Sequence, residues 1–264
     1  MRITAILPVS RTKYLDRVLE SLLKQTRKPD GLIVVFDGNE KDYLDVRNKI
    51  VALDFENKIC VPSNNKRPAF SIPERRWHIV NIHNQIRDIL PENPRYVLDD
   101  YEPDWIFSIE DDGILPVDAL EKLAVSATQS RNIGMFTGVE LGRWGVPYVG
   151  AWHVDDVHNP QIVTSLQSRT DSNFVEEIDG CGLYCALIRQ DYYKMHTFDT
   201  RNGLGPDVNL GLFLRQHGLK NYIDWSIHVT HLTSTPDGEE LEIPATSPSR
   251  VVQLHLMSGS TWKA

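Results

Sequence analysis

The feature that most constrains this chain is the way short, unbroken apolar runs alternate with helix-patterned stretches through its first half. ITAILPV (Ile3 to Val9) is a β-favouring run, and Leu15, Val18, Leu19, Leu22 and Leu23 follow it at helical spacing. Pro29 and Gly31 break that helix, and LIVVF (Leu32 to Phe36) comes next. An apolar run without alternation is what a parallel strand buried on both faces requires, so the opening reads as a βαβ unit. A charged helical stretch follows Asp37 and Gly38, and a short apolar patch lies around Ile59 and Val61. The polar, basic loop SNNKRPAFSIPERR then precedes a helix with Ile79, Ile82, Ile86 and Leu90 on one face, and WIFSI (Trp105 to Ile109) is a further buried strand. The expected class is α/β, with a Rossmann-like central sheet flanked by helices.

The 264 residues, 41% of them hydrophobic, are enough for one large core, and a single domain is expected over residues 1–264. A formal charge of -8 argues against a protein that coats a polyanion, although the loop from Lys66 to Arg76 is a local basic patch. Cys60, Cys181 and Cys185 have neither zinc spacing nor the pairing of a disulfide framework, which fits a reducing compartment. Met1 leads directly into the first strand and no run approaches the roughly 20 apolar residues of a membrane span. A soluble, cytoplasmic protein is expected.

The second half is less regular. Ile133 to Leu141, Val146 to Ala151 and LYCALI (Leu183 to Ile188) read as strands, and Asp207 precedes a helix closed by Gly218. A last strand, Tyr222 to Val229, leads to His231, and the stretch from Ser234 onward, rich in Pro, Ser, Thr and Glu, reads as an arm or lid.

The chemistry begins where WIFSI runs into EDDG, before Pro116 opens a helix carrying Leu120, Leu123 and Ala127. Alternate residues at a strand end point the same way, so Glu110 and Asp112 face one site while Asp111 turns aside. Two convergent carboxylates attract a hard divalent cation. Magnesium or manganese takes one or two such ligands and completes its shell with substrate phosphates. The competing reading is a solvated acidic turn capping the next helix.

On these residues the chain resembles glycosyltransferases of the GT-A fold, especially the large inverting family that uses nucleotide-diphosphate sugars. The opening ITAILPVSRTKYLDRVLESLLKQTRKPDGLIVVFDGN is similar to that family's nucleotide-binding start, and WIFSIEDDGILPVDAL to its D-x-D segment, with Glu110 in place of the first Asp. The resemblance implies Asp112 as metal ligand, with Glu110 near ribose or metal-bound water. It implies Asp37 at the nucleotide base, though Asp37 also reads as an Asp-Gly turn. Pro8, Asp111, Arg75 and Arg76 complete the expected nucleotide-sugar contacts, Arg76 being the preferred arginine near the diphosphate. GLGPD (Gly203 to Asp207) resembles the segment that carries the family's catalytic base, with Pro206 where a second acidic residue usually stands. That makes Asp207 the candidate base, or else a helix N-cap. Of His228 and His231, the latter matches the metal-binding histidine many GT-A enzymes place after a late strand. GCG (Gly180 to Gly182) is either a ligand-side segment or a plain turn, and Trp144 and Trp152 either stack on a sugar or pack in the core.

The expected activity is transfer of a sugar from a UDP-sugar to an acceptor hydroxyl, with Mn2+ or Mg2+ as cofactor and inversion at the anomeric carbon. Residues 1–115 would form the nucleotide-sugar half, 116–233 the acceptor half and 234–264 the arm. The rivals are a DNA glycosyltransferase acting on hydroxymethylated bases, guided by the basic loop, and a non-catalytic nucleotide-sugar-binding module. A sugar nucleotidyltransferase is disfavoured because LPVSRTKY has no glycine for a phosphate loop.

Overall fold

The computed structural model describes residues 1–65, 71–90, 105–141, 148–169, 174–200, 204–234 and 238–245. The first half builds as the apolar runs require: β1 (Ile3–Val9), α1 (Leu15–Leu23), β2 (Gly31–Phe36), α2 (Glu40–Ala52), β3 (Asn57–Pro62), α3 (Ile72–Ile89) and β4 (Trp105–Ile109). Strands β3, β2, β1 and β4 lie side by side in that order, all parallel, and β4 is antiparallel to its other neighbour, the strand Cys185–Arg189 of the second half. A two-residue strand, β5 (Gly113–Ile114), and α4 (Ala119–Ala127) follow.

Antiparallel pairing enters in the second half, through β6 (Ile133–Val139), β7 (Tyr148–Val154), β8 (Val163–Gln167), β9 (Val175–Ile178), β10 (Gly180–Cys181) and β11 (Cys185–Arg189). The chain continues with α5 (Gln190–Met195), α6 (Pro206–Gln216), β12 (Lys220–His228), β13 (Thr230–Ser234) and β14 (Glu240–Pro244). The central sheet runs β3-β2-β1-β4-β11-β6-β12-β9, and two three-stranded sheets, β10-β7-β8 and β14-β13-β5, stand beside it.

Strand alternation divides the core. Ile3, Ala5, Leu7 and Val9 face one side of β1 and pack with Val18 and Leu22 of α1 and Leu120 and Leu123 of α4. Ile6 faces the other side, with Ile82 and Ile86 of α3 and Leu210 and Leu214 of α6. Both faces of the parallel strands are therefore covered, which is why their sequences do not alternate.

Three expectations need correction. Ile79 does not share the buried stripe of α3; it is 42% exposed, and Val80 is buried instead. Helix α3 also begins earlier than the hydrophobic pattern indicates. Ser71 and Glu74 form a reciprocal capping box and a proline occupies the first helical turn. Arg75 and Arg76 are thus helical residues at the start of α3, not the end of the loop before it. The strand over Tyr222 to Val229 is not the last: β13 follows it and carries His231, and the region past Ser234 contributes β14, paired antiparallel to β13 from Thr230↔Pro244 to Ser234↔Glu240. Trp144 and residues 66–70 of the basic loop lie outside the described residues. Among the described residues, no helix is long and apolar enough to cross a membrane.

Candidate functional site

Strand β4 lies between β1 and β11 and delivers Glu110, Asp111 and Asp112 to the carboxyl edge of the parallel strands. In open α/β sheets this edge is where ligands bind. Helix α1 braces the segment that follows. Ser21 Oγ accepts from the Leu115 amide at 3.3 Å, and Gln25 donates to the Pro116 carbonyl at 2.7 Å while accepting from Leu120 N–H at 3.0 Å.

The three acidic residues have different surroundings. Glu110 is half-buried, whereas Asp111 and Asp112 are buried. Asp111 faces the loop after β1: its Oδ2 accepts the Ser10 and Arg11 amides, each at 2.7 Å, and the Ser10 hydroxyl at 3.1 Å. Its Oδ1 receives Arg11 Nε at 3.2 Å and Nη2 at 2.5 Å. The same Nη2 lies 2.8 Å from Asp112 Oδ2, so one guanidinium bridges two carboxylates. Asp111 does not turn aside from Asp112 as strand alternation predicts, because β4 ends at Ile109 and the chain turns through Glu110 to Gly113. Burial works against the charge on Arg11, but Asp111 and Asp112 outweigh it and raise the guanidinium pKa further.

His231 reaches Asp112 through strand pairing. β13 pairs antiparallel with β5, setting His231 opposite Gly113, and the Leu232 amide donates to the Asp112 carbonyl at 2.7 Å. Asp112 Oδ2 and His231 Nε2 then lie 2.9 Å apart, both residues buried. His231 Nδ1 is 3.2 Å from the Leu141 carbonyl and 4.0 Å from Glu140 Oε2. His228 points elsewhere, its Nε2 lying 2.7 Å from the Trp225 carbonyl.

The donor set fits a small divalent cation. Two adjacent ligands of an octahedral ion, each at about 2.1 Å, lie about 3.0 Å apart, close to the spacing of Oδ2 and Nε2. A proton on His231 Nδ1 bonded to the Leu141 carbonyl would leave Nε2 as a lone-pair donor, the outer-shell arrangement common to metal-binding histidines. Among the described residues no cluster of three or more His, Cys, Asp or Glu forms a cage.

Asp37 stands at the end of β2 beside a polar network. Ser63 Oγ donates to its Oδ1 at 2.5 Å and Asn65 Nδ2 at 3.0 Å, while His78 Nδ1 lies 2.8 Å from Oδ2. Asn81 Nδ2 continues the chain of contacts to Asn65 Oδ1 at 2.8 Å. Pro8 is half-buried in β1, in register with Val35 of β2. Arg75 and Arg76 are exposed on the first turns of α3, next to Trp77, which is 52% exposed.

Contrary to expectation, Asp207 neither precedes α6 nor caps it: Gly205 is the N-cap, the helix begins at Pro206, and Asp207 lies in its first turn. Its carboxyl folds back so closely that a Cβ on Gly205 would lie 2.3 Å from Oδ1. Burial raises its pKa, opposed by the Val208 and Asp207 amides and the positive charge of Arg76. Helix α6 approaches through Gly211, where a Cβ would come within 2.8 Å of the Asp179 carbonyl and of Gly180. The two glycines of GCG make room for core rings: a Cβ at Gly180 would meet Trp152 at 2.6 Å, and one at Gly182 would meet Tyr184 at 2.8 Å. Trp152 is accordingly buried, as a packing residue.

Several residues of these constellations escaped sequence reasoning: Arg11, Ser63, Asn65, His78 and Glu140. Arg11 lies within the opening segment and Ser63 and Asn65 within the basic loop, but nothing local singles them out, because each acquires its partner only through folding.

No family model and no curated protein matches the sequence. Solved structures do. A mannosyltransferase, PcManGT from Pyrobaculum calidifontis, in complex with GDP-Man and Mn2+, superimposes with a TM-score of 0.54 at 13% identity, covering 83% of this chain and 53% of that one. S. aureus TarS 1-349 gives 0.50 at 13% identity, covering 84% and 58%. A197 from STIV matches 92% of this chain and 94% of its own, with a TM-score of 0.48 and 13% identity. The chain spans little more than half the length of the first two. At this identity the likeness is one of fold, a mixed α/β domain of GT-A type with a large mixed sheet flanked by helices.

Proposed function

We propose that this protein is a metal-dependent glycosyltransferase that moves a sugar from a nucleoside-diphosphate sugar, a UDP-sugar in the first instance, to an acceptor hydroxyl with inversion. The observation that carries the reading is the buried pair of Asp112 Oδ2 and His231 Nε2, 2.9 Å apart at the carboxyl edge of β4. Mn2+ or Mg2+ held there would act as a Lewis acid, offsetting charge on the departing diphosphate.

The chain's own groups supply the rest. Asp37, with Ser63, Asn65 and His78 around it, would receive the base, and Pro8 would border the same cleft. Glu110 would lie near ribose or metal-bound water. Asp111 would hold the β1–α1 loop, and with it Arg11, against the diphosphate side. Arg75 and Arg76 open α3 with positive charge on the nucleotide side. Asp207, with its proton affinity raised by burial, is suited to take the acceptor hydroxyl's proton as that oxygen attacks the anomeric carbon. Residues 1–115 would then serve the donor and 116–233 the acceptor, except that His231 returns from the second half to complete the metal pair.

A panel of UDP- and GDP-sugars, each with Mn2+ or with chelator, tests the proposal through release of the nucleoside diphosphate. The expected result is turnover of one donor class, abolished by chelator and by Asp112→Asn. Turnover that survives both treatments would sink the proposal.

A further inference from the structure

We propose that Arg11 is a displaceable latch on the metal site, which keeps the ion weakly bound until a diphosphate arrives. The inference rests on the metal reading of Asp112 and His231 given above. Arg11 lies in the loop directly after β1, a hundred positions before Asp111. Its Nε and Nη2 reach Asp111 Oδ1 at 3.2 and 2.5 Å, and Nη2 also reaches Asp112 Oδ2 at 2.8 Å. That last oxygen is the one shared with His231 Nε2.

The arrangement puts a fixed positive charge where a divalent cation would have to bind. A guanidinium cannot lose its proton in a protein, so it cannot yield by titration. It can yield only by moving. Asp112 is 0% exposed, whereas 37% of the Arg11 side chain faces solvent, so the arginine is the member of the pair with room to turn. Asp111 remains anchored meanwhile by the Ser10 and Arg11 amides, which hold the backbone of the latch in place.

A guanidinium released from Asp112 would stay beside the same edge of the sheet, and its planar fork matches phosphate oxygens bidentately. The ion alone must take Arg11 from Asp112 with only Asp111 left to hold it. The ion accompanied by a diphosphate offers Arg11 a new partner at the same moment. Metal and diphosphate therefore favour one another's binding, and by linkage the coupling is reciprocal.

The test is binding of Mn2+ alone, read as free against bound ion by electron paramagnetic resonance, in the native chain, Arg11→Gln and Asp112→Asn. Arg11→Gln is expected to bind Mn2+ about tenfold more tightly than the native chain, and added inorganic pyrophosphate to improve Mn2+ binding less than it does in the native chain. A residue that merely braced the loop would weaken both. If Arg11→Gln does not fold, Arg11→Met gives the same reading, since it keeps much of the side chain's apolar length without the positive charge, and its Mn2+ affinity must also rise. Native and Arg11-substituted chains that bind Mn2+ equally, with Asp112→Asn binding none, would overturn the latch and leave the metal site standing. Absence of Mn2+ binding in all of them, with or without pyrophosphate, would overturn both.

Discussion

Asp112 and His231, 119 positions apart in the chain, are brought to 2.9 Å by the pairing of β13 with the two-residue strand β5. A carboxylate at the end of a parallel strand and an imidazole from the end of the fold thus share one buried point. Arg11 closes it from the loop after β1.

Removing either member of the pair is expected to cost catalysis more than folding. Asp112→Asn keeps the shape of the side chain and His231→Gln keeps a polar group near the Leu141 carbonyl. Both should lower kcat/KM by about a thousandfold, the scale of several kcal/mol of Lewis-acid stabilisation. Steady-state kinetics with saturating Mn2+ checks this, and losses under about threefold would remove the pair from the reaction.

Asp207 should act in kcat. Its pKa is raised above the ordinary 3.8 by burial, so the rate is expected to fall, as pH is lowered, through an inflection above that value. Asp207→Asn should remove the inflection together with most of kcat while leaving KM for the donor near the native value. Gly205→Ala places a Cβ 2.3 Å from the Asp207 carboxyl oxygen, so it should displace that group and lower kcat in the same way. Donor hydrolysis and transfer measured from pH 4 to 9 decide between this role and a carboxylate that only supports the first turn of α6, which would alter stability and not the profile.

The Asp37 network should act in binding. Asp37→Ala leaves Ser63, Asn65 and His78 without the carboxylate they converge on. KM for the sugar nucleotide is expected to rise about tenfold or more with kcat little changed. An equal fall in kcat at unchanged KM would contradict a base-contacting role.

Acid stability should depend on His83, which packs between Tyr193 and Phe198 with Nδ1 2.8 Å from the Tyr193 hydroxyl. Burial and the neighbouring His196 lower its pKa from 6.5 to about 3. The unfolded chain then binds a proton that the folded one refuses between those values. Stability is full above about pH 6.5 and declines as pH falls toward 3, by up to about 1.4 kcal/mol per unit. At pH 5 the loss from this group is about 2 kcal/mol relative to neutrality. His83→Phe should flatten that limb of a urea-unfolding series. An unchanged slope would show that His83 takes up its proton in the folded state.

The α/β class was legible because β1, β2 and β4 are buried on both faces and their apolar runs cannot be mistaken for alternating surface strands. The second half was harder. β8 is almost wholly exposed, and β5 and β10 have two residues each, so no periodicity could mark them. The early start of α3 was written in Ser71 and Glu74, a local signal outweighed by the apolar pattern further along. In the site, EDDG and His231 stood at strand ends and could be singled out. Arg11 could not, since an arginine in a loop acquires meaning only when Asp111 folds against it. The ring of Ser63, Asn65 and His78 around Asp37 comes from separate elements and is equally silent in sequence.

The most direct measurement is anomalous diffraction from a crystal soaked with Mn2+ and the nucleoside diphosphate released in the donor screen. One manganese peak is expected about 2.1 Å from both Asp112 Oδ2 and His231 Nε2, touching the diphosphate, with Arg11 turned from Asp112. A peak elsewhere, with Arg11 still bound to Asp112 and the diphosphate remote from both, would contradict a metal-assisted sugar transfer at this site.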